Sequence, residues 1–155
     1  MGIEDHSERH PPGETTGTDE RPPRRLAGAA LAFDLARELA QLHEERAWRQ
    51  GDRNAKALVK EPDLHIVLIA LRSGARMDQH RAAGRISVQT LAGHLRLHAL
   101  GETVDLPVGR LVSLEQDVPH DVEALEESTF LLTIAWQGEH SSTAADTTTE
   151  RERAG

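Results

Sequence analysis

Apolar residues in the N-terminal third of the chain recur with the period of a helix. Between residues 26 and 50 they are spaced by three or four positions, with charged residues between them, and Gly51 follows: the main ones are Ala32, Leu35, Leu39 and Leu42. This spacing places the apolar side chains on one face of a helix, and glycine is a common helix terminator. We therefore predict one amphipathic helix over residues 26–50, bracing the domain that follows.

From residue 55 to residue 136 the pattern changes to short apolar runs and strict alternation. Leu64–Leu71 is a nearly continuous aliphatic run, as expected of a strand buried on both faces. Further strands are predicted at Ile86–Leu91, around Leu95 and Leu97, at Leu111–Leu114 and from Phe130 to Trp136. Turns with Gly or Pro separate these segments, and no helical spacer lies between them. The predicted fold class is all-β, a small antiparallel β-barrel with one N-terminal amphipathic helix.

The two ends of the chain have a different composition. Residues 1–25 contain four prolines, several charges and Ile3 as almost their only aliphatic side chain, and residues 137–155 are rich in Ser, Thr and charges. Such segments bury too little apolar surface to offset the entropy lost on ordering. We predict disordered tails at 1–25 and 137–155, flanking the helix of 26–50 and a barrel of 55–136.

Charge and composition exclude several function classes. The net charge is −8, and residues 61–136 carry 11 acidic residues against 6 arginines, so the basic footprint of a nucleic-acid-binding protein is missing. The chain has no cysteine, which removes disulfides and thiolate sites. The longest apolar run is far shorter than the roughly 20 residues of a membrane span, and no secretory signal is readable. We expect a cytoplasmic protein without nucleic-acid or membrane partners; a homodimer is compatible with a barrel of this size.

Residues of the barrel region resemble the two sequence motifs of cupins. The first motif runs Gly, five residues, His, one residue, His, three or four residues, Glu, six residues, Gly, and Gly74, His80 and Gly93 fit it. The second runs Gly, five residues, Pro, one residue, Gly, two residues, His, three residues, Asn, and Gly109 and His120 fit it. The chain therefore resembles a small single-domain cupin of the RmlC-like superfamily over about half of its length.

Other positions of these motifs carry different residues. Ala82 stands in place of the second histidine of the first motif and Ile86 in place of its glutamate. In the second motif, Glu115, Asp117 and Ala124 replace Pro, Gly and Asn. Cupins with the full set hold Fe, Mn, Ni or Zn by three histidines and a carboxylate. The resemblance thus implies that half of the usual metal ligands is missing here.

Two interpretations of the remaining histidines stay open. His80 and His120 would hold a divalent metal (Fe, Mn, Ni or Zn) if Asp78, water or an anion completed the coordination; Asp78 shares the facing of His80 in a regular strand. Against this, Ile86 places an alkyl group where a ligand normally enters. The other interpretation is a metal-free pocket with two hydrogen-bonded histidines and no cofactor.

The resemblance implies that His80 and His120 converge inside the barrel. We predict a small-molecule pocket there, with apolar walls from Ile86, Val88, Leu95 and Val122. Histidines with pKa values near 6.5 could also exchange protons with a substrate, so an enzymatic role stays open. The chain has no Tyr, so the mechanism expected of cupin-like sugar epimerases does not fit.

Two alternatives belong to other function classes. One is a metal-dependent cupin oxygenase or isomerase with His80, His120 and Asp78 or water as ligands. The other is a structural or sensory domain that contacts a partner through the predicted helix.

His94 and His98 alternate with leucines, so we predict them on the outer face of their strand and assign them no site.

Overall fold

The computed structural model describes residues 21–137, which form two antiparallel β-sheets packed face to face. The strands are β1 Arg53–Glu61, β2 Leu64–Leu71, β3 Arg76–His80, β4 Arg85–Ala92, β5 His94–Ala99, β6 Glu102–Pro107, β7 Leu111–Leu114, β8 His120–Ala124 and β9 Ser128–Ala135. One sheet has the order β1-β2-β9-β4-β7 and the other β3-β8-β5-β6. The predicted fold class is confirmed, although the two sheets remain separate instead of closing into one continuous barrel.

The main core lies between the two sheets. The five-stranded sheet contributes residues such as Ile69, Val88 and Phe130, and the four-stranded sheet contributes Leu95 and Leu97, all almost fully buried. Strand residues alternate between the two faces of a sheet, so each strand directs every second side chain into this layer. The alternation read from the sequence is therefore the pattern of the inter-sheet core.

Strand β2 is buried on both faces, as its continuous aliphatic run predicts. Its odd-numbered residues Val67, Ile69 and Leu71 face the inter-sheet core, while Leu68 and Ala70 belong to a second apolar cluster on the outer side of the five-stranded sheet. Leu58 of β1, together with Leu42 and Trp48 from the N-terminal helical region, completes the buried part of this second cluster.

The helical region is shorter and more broken than the single helix predicted over residues 26–50. Helix α1 spans Leu35–Glu44 and helix α2 spans Arg46–Gln50. The Asp34 side chain caps α1 by accepting hydrogen bonds from the Ala36 and Arg37 main-chain N–H groups, at 3.1 and 3.3 Å. The backbone of Glu45 is extended and separates the two helices. Neither described helix is long and apolar enough to span a membrane.

Residues 21–28 lie along the edge strand β1 instead of forming tail or helix. The Arg21 and Arg24 guanidinium groups donate to the Ala55 and Ala57 carbonyls at 2.9 and 2.7 Å, and the Lys60 N–H donates to the Leu26 carbonyl at 2.7 Å. These contacts are polar, so the apolar pattern of the sequence did not reveal them. Residues 1–20 and 138–155, the remainder of the predicted tails, lie outside the described residues.

Candidate functional site

His80 and His120 lie side by side, as the resemblance implied. His80 ends β3, His120 begins β8, and the two residues are directly paired in the antiparallel ladder. Their ring centroids are 4.3 Å apart with an interplanar angle of 66°. His120 is only 4% exposed, whereas His80 is partly exposed, so the pair joins the buried core to the surface.

A β-bulge in β3 places His80 on the inner face. Met77 pairs with Val122, but His80 pairs with His120, so β3 contains one residue more than β8 between these two positions. In a regular strand Gln79 would lie opposite His120. The bulge absorbs the extra residue and turns the His80 side chain toward its partner.

Each imidazole is oriented by a main-chain carbonyl two residues earlier in the chain. His80 Nδ1 lies 2.6 Å from the Asp78 oxygen, and His120 Nδ1 lies 2.9 Å from the Val118 oxygen. A carbonyl only accepts, so Nδ1 carries a proton in both rings, and in the neutral form of each ring Nε2 is the acceptor nitrogen. The site therefore offers two oriented Nε2 atoms.

The electrostatic surroundings keep His80 neutral. Burial lowers the pKa of His80 below its ordinary value, and the neighbouring His120 adds to the effect; the hydrogen bond to the Asp78 carbonyl and the charge of Asp121 act in the opposite direction. Because an ordinary histidine already titrates near 6.5, a lowered pKa leaves His80 uncharged at pH 7. At neutral pH its Nε2 accepts hydrogen bonds or ligates; it does not attract anions.

The structure does not bring Asp78 into the site as a third ligand. Its side chain is exposed, and only its main-chain oxygen contacts His80. The bulge is the physical reason, because it breaks the alternation on which the shared facing of Asp78 and His80 depended. Within residues 21–137, no group of three or more His, Asp or Glu side chains is arranged to hold a metal ion.

The four apolar residues predicted to line the pocket all belong to the inter-sheet core. Ile86, Val88, Leu95 and Val122 are each at most 3% exposed. Ala82 and Ile86, at the two positions where cupins have ligands, are buried apolar groups as well. These four residues are thus closely packed within the core, and their direct contact with a ligand stays a prediction.

A separate groove lies on the outer face of the four-stranded sheet, where sequence analysis assigned no site. This outer groove has a volume of about 580 Å³ and is lined by Gln79, His98, Ala99, Leu100, Gly101, Glu102, Thr103, Pro119 and Asp121. His98 alternates with inward apolar residues, as predicted, and Asp121 lies between the inward-facing residues His120 and Val122. The register of His98 and Asp121 in neighbouring strands brings them together, which a single strand pattern does not indicate.

Comparison with known proteins identifies the fold but does not identify an activity. No protein-family model matches the sequence, and no curated protein matches it. Solved structures do: a conserved protein of unknown function from Streptococcus pyogenes is 26% identical, with a TM-score of 0.53 over 56% of this chain and 75% of its own. The cupin 2 conserved barrel domain protein from Leptotrichia buccalis is 27% identical, with a TM-score of 0.54 over 56% of this chain and 42% of its own.

A third similar structure is an enzyme. A variant of salicylate 1,2-dioxygenase from Pseudoaminobacter salicylatoxidans is 17% identical, with a TM-score of 0.63 over 73% of this chain and 37% of its own. At this identity the likeness concerns the fold alone. The two sheets and these neighbours together show that the described residues have the fold of a small cupin domain. The neighbours include a dioxygenase and a protein of unknown function, so the fold does not select a reaction.

Proposed function

We propose that this cupin domain binds a small polar molecule through Nε2 of His80 and Nε2 of His120, without a resident metal ion. The observation that supports this proposal is the orientation of both imidazoles by the Asp78 and Val118 carbonyls. In the neutral rings the fixed Nδ1–H groups leave both Nε2 atoms as acceptors, so the favoured ligand donates hydrogen bonds through hydroxyl or amide groups. The buried core beneath the pair supplies the rigidity that an oriented binding site needs.

The donor set does not fit the usual cupin metal. A borderline divalent ion takes several nitrogen and oxygen ligands, and here two of the four expected positions carry the buried alkyl groups of Ala82 and Ile86. Two imidazoles alone would bind such an ion weakly, with water filling the other positions. The metal-dependent oxygenase or isomerase of the sequence analysis therefore has less support than metal-free binding.

The role as a structural or sensory domain rested on the helix as a contact surface. Leu42 of α1 and Trp48 of α2 are buried against Leu58 and Leu68 of the domain's own sheet. The apolar side of the helical region is thus occupied within the molecule, which weakens the motivation for that alternative.

Elemental analysis of protein purified without chelator or nickel resin tests the proposal. We expect far less than one equivalent of Fe, Mn, Ni or Zn, both in the wild type and in His120→Ala. A parallel thermal-shift survey of hydroxylated and amide-bearing small molecules should yield ligands whose effect is lost in His120→Ala and kept in His94→Ala. Near-stoichiometric metal that disappears in His120→Ala would overturn the proposal and favour the metal-dependent alternative.

A further inference from the structure

A second pair of aromatic rings lies on the five-stranded sheet. His65 of β2 and Trp136, the residue after β9, have ring centroids 4.5 Å apart with an interplanar angle of 77°. The Trp136 main-chain N–H donates to the Asp63 carbonyl at 3.0 Å, which fixes the end of β9 beside the start of β2. This pair resembles the histidine pair in joining two neighbouring strands, but one of its rings is an indole.

Both rings face the space between the two sheets. His65 is two residues from Val67, whose side chain lies in the inter-sheet core, and side chains two residues apart in a regular strand share one face. Trp136 packs against the same core. His80 and His120 face this space from the opposite sheet, and packed sheets are about 10 Å apart. The two ring pairs therefore belong to opposite walls of the sandwich.

The loop after β3 places the two ring pairs at the same end of the sandwich. Residues 81–84 lead from His80 to β4, and the first residue of β4 pairs with Ala135, next to Trp136. Gly84 lies against the Ala135 carbonyl, so closely that an added Cβ would clash with it. Only four residues therefore separate the histidine pair from the strand end that carries the indole.

This end of the sandwich is open to solvent. His65, His80 and Trp136 face inward yet are partly exposed, whereas the next inward residues along β2 and β9, Val67 and Ile134, are each 3% exposed. Solvent thus has access to a ring of each pair from the same side. The opening is called the mouth and is formed by His65, His80, His120 and Trp136.

The two walls of the mouth differ in chemistry. Neutral His80 presents an acceptor nitrogen without a positive charge, so its wall favours a neutral donor over an anion. The opposite wall presents the rings of His65 and Trp136, and aromatic rings attract one another beyond the area that they bury. A ligand that suits both walls has a flat aromatic ring with donor groups on its edge.

We propose that the mouth binds a neutral heteroaromatic ring that carries N–H donors on its edge, the chemistry of a cyclic imide. The ring packs against His65 and Trp136, and its N–H groups donate to Nε2 of His80 and Nε2 of His120. This inference rests on the function proposed above and adds the class of ligand. Trp136 is the residue that selects an aromatic ring over other molecules with the same donors.

An NMR titration of the full chain with uracil at pH 7.5 tests this proposal. The indole Nε1–H signal of Trp136 should shift and saturate with a dissociation constant on the order of 1–10 mM, as expected for so small a ligand. Trp48, the other tryptophan of the chain, is buried on the outer side of the five-stranded sheet, so its signal should not shift. An unshifted Trp136 signal up to the solubility limit of uracil would overturn the proposal.

Two analogues separate this inference from the function on which it rests. 5,6-Dihydrouracil keeps both N–H donors but loses the aromatic ring, and it should bind about 3- to 10-fold more weakly than uracil. 1,3-Dimethyluracil keeps the ring but lacks the N–H donors, and it should bind at least about 5-fold more weakly. Equal binding of 5,6-dihydrouracil would overturn the role of Trp136 and leave the histidine function standing. Equal binding of 1,3-dimethyluracil would overturn both.

Variants of the two tryptophans test the same point in the protein. Trp136→Leu keeps an apolar side chain but removes the aromatic surface, so uracil should bind about 3- to 10-fold more weakly while the affinity for 5,6-dihydrouracil stays the same. Trp136→Phe should keep the affinity for uracil within about 2-fold, because it restores a ring. Trp48→Phe is the matched control outside the mouth and assigns the two indole signals. An unchanged affinity for uracil in Trp136→Leu, measured on the His120 amide, would contradict the proposal.

Discussion

His80 and His120 have similar hydrogen bonds but different access to water. Both donate from Nδ1 to a carbonyl two residues earlier, yet His120 is almost fully buried and His80 is partly exposed. In the proposed site, a ligand that enters from solvent would reach His80 first, and His120 would define the deep end.

The lowered pKa of His80 predicts a contribution to acid destabilisation. In the unfolded chain His80 has the ordinary pKa near 6.5, so below that pH the unfolded state binds a proton more readily than the folded state. The free energy of unfolding should thus fall as the pH drops from 7 through the lowered pKa. Urea denaturation of wild type and His80→Gln between pH 5 and pH 8 measures this, and the fall should be smaller in the variant. Parallel profiles would contradict the assignment.

The proximity of His80 and His120 was predictable, but the geometry around the pair was not. The cupin resemblance implied that His80 and His120 converge, and the register shows that the two residues pair. The bulge depends on how β3 and β8 fit together, so it could not be read from the residues of β3 alone. For the same reason the sequence placed Asp78 beside His80, and it left His98 without its partner Asp121.

Strands were predictable where apolar residues follow one another without interruption or alternate regularly with polar ones. β2 and β7 have the predicted ends, Leu64–Leu71 and Leu111–Leu114. β6 and β8 were not assigned, because their residues are largely polar and each turns a charged face outward. β1 contains the buried polar residues Asn54 and Lys56, which interrupt its apolar pattern. Their partners lie in α1 and Glu45, so only the tertiary structure explains their burial.

Adding one methyl group at Gly93, in the turn between β4 and β5, should lower the free energy of unfolding strongly. Gly93 has φ of 84°, and an added Cβ would lie 2.2 Å from the Glu127 carbonyl oxygen. Gly101 has a similar φ of 74°, but a Cβ added there would have no other atom within 4 Å. The substitution Gly101→Ala therefore measures the conformational cost without the steric one. We expect Gly101→Ala to lose about 1 kcal/mol of unfolding free energy and Gly93→Ala roughly 3–5 kcal/mol. Equal losses in chemical denaturation would show that the main chain relaxes around residue 93.

At the scale of the whole molecule, a buried polar contact links the N-terminal segment, the helical region and β1. The side chains of Arg21 and Glu45 are 1% and 5% exposed, with Arg21 Nη2 and Glu45 Oε1 2.8 Å apart, and Asn54 also donates to Glu45 at 2.9 Å. Although burial alone would raise it, these hydrogen bonds lower the pKa of Glu45. The segment is thus held by charge where the sequence suggested a free tail.

Removing one partner of this pair should destabilise the entire domain. Arg21→Met leaves the Glu45 charge buried without its cation, which we expect to cost about 3 kcal/mol of unfolding free energy. Arg53→Met is the matched control, because the Arg53–Asp52 pair is 40% and 57% exposed and should contribute less than about 1 kcal/mol. Similar urea midpoints for the two variants would contradict a structural role for residue 21.

The bulge in β3 also changes what the cupin spacing means in this protein. Motif spacing counts residues along the chain, whereas the position of His80 opposite His120 depends on the number of ladder positions along the sheet. From Met77 to His80 the chain advances by three residues, while the partner strand advances by only two. The five residues that separate Gly74 from His80 therefore cover one sheet step fewer than their number implies. A relative without the bulge would keep the same histidine contact with one residue fewer between the glycine and the histidine.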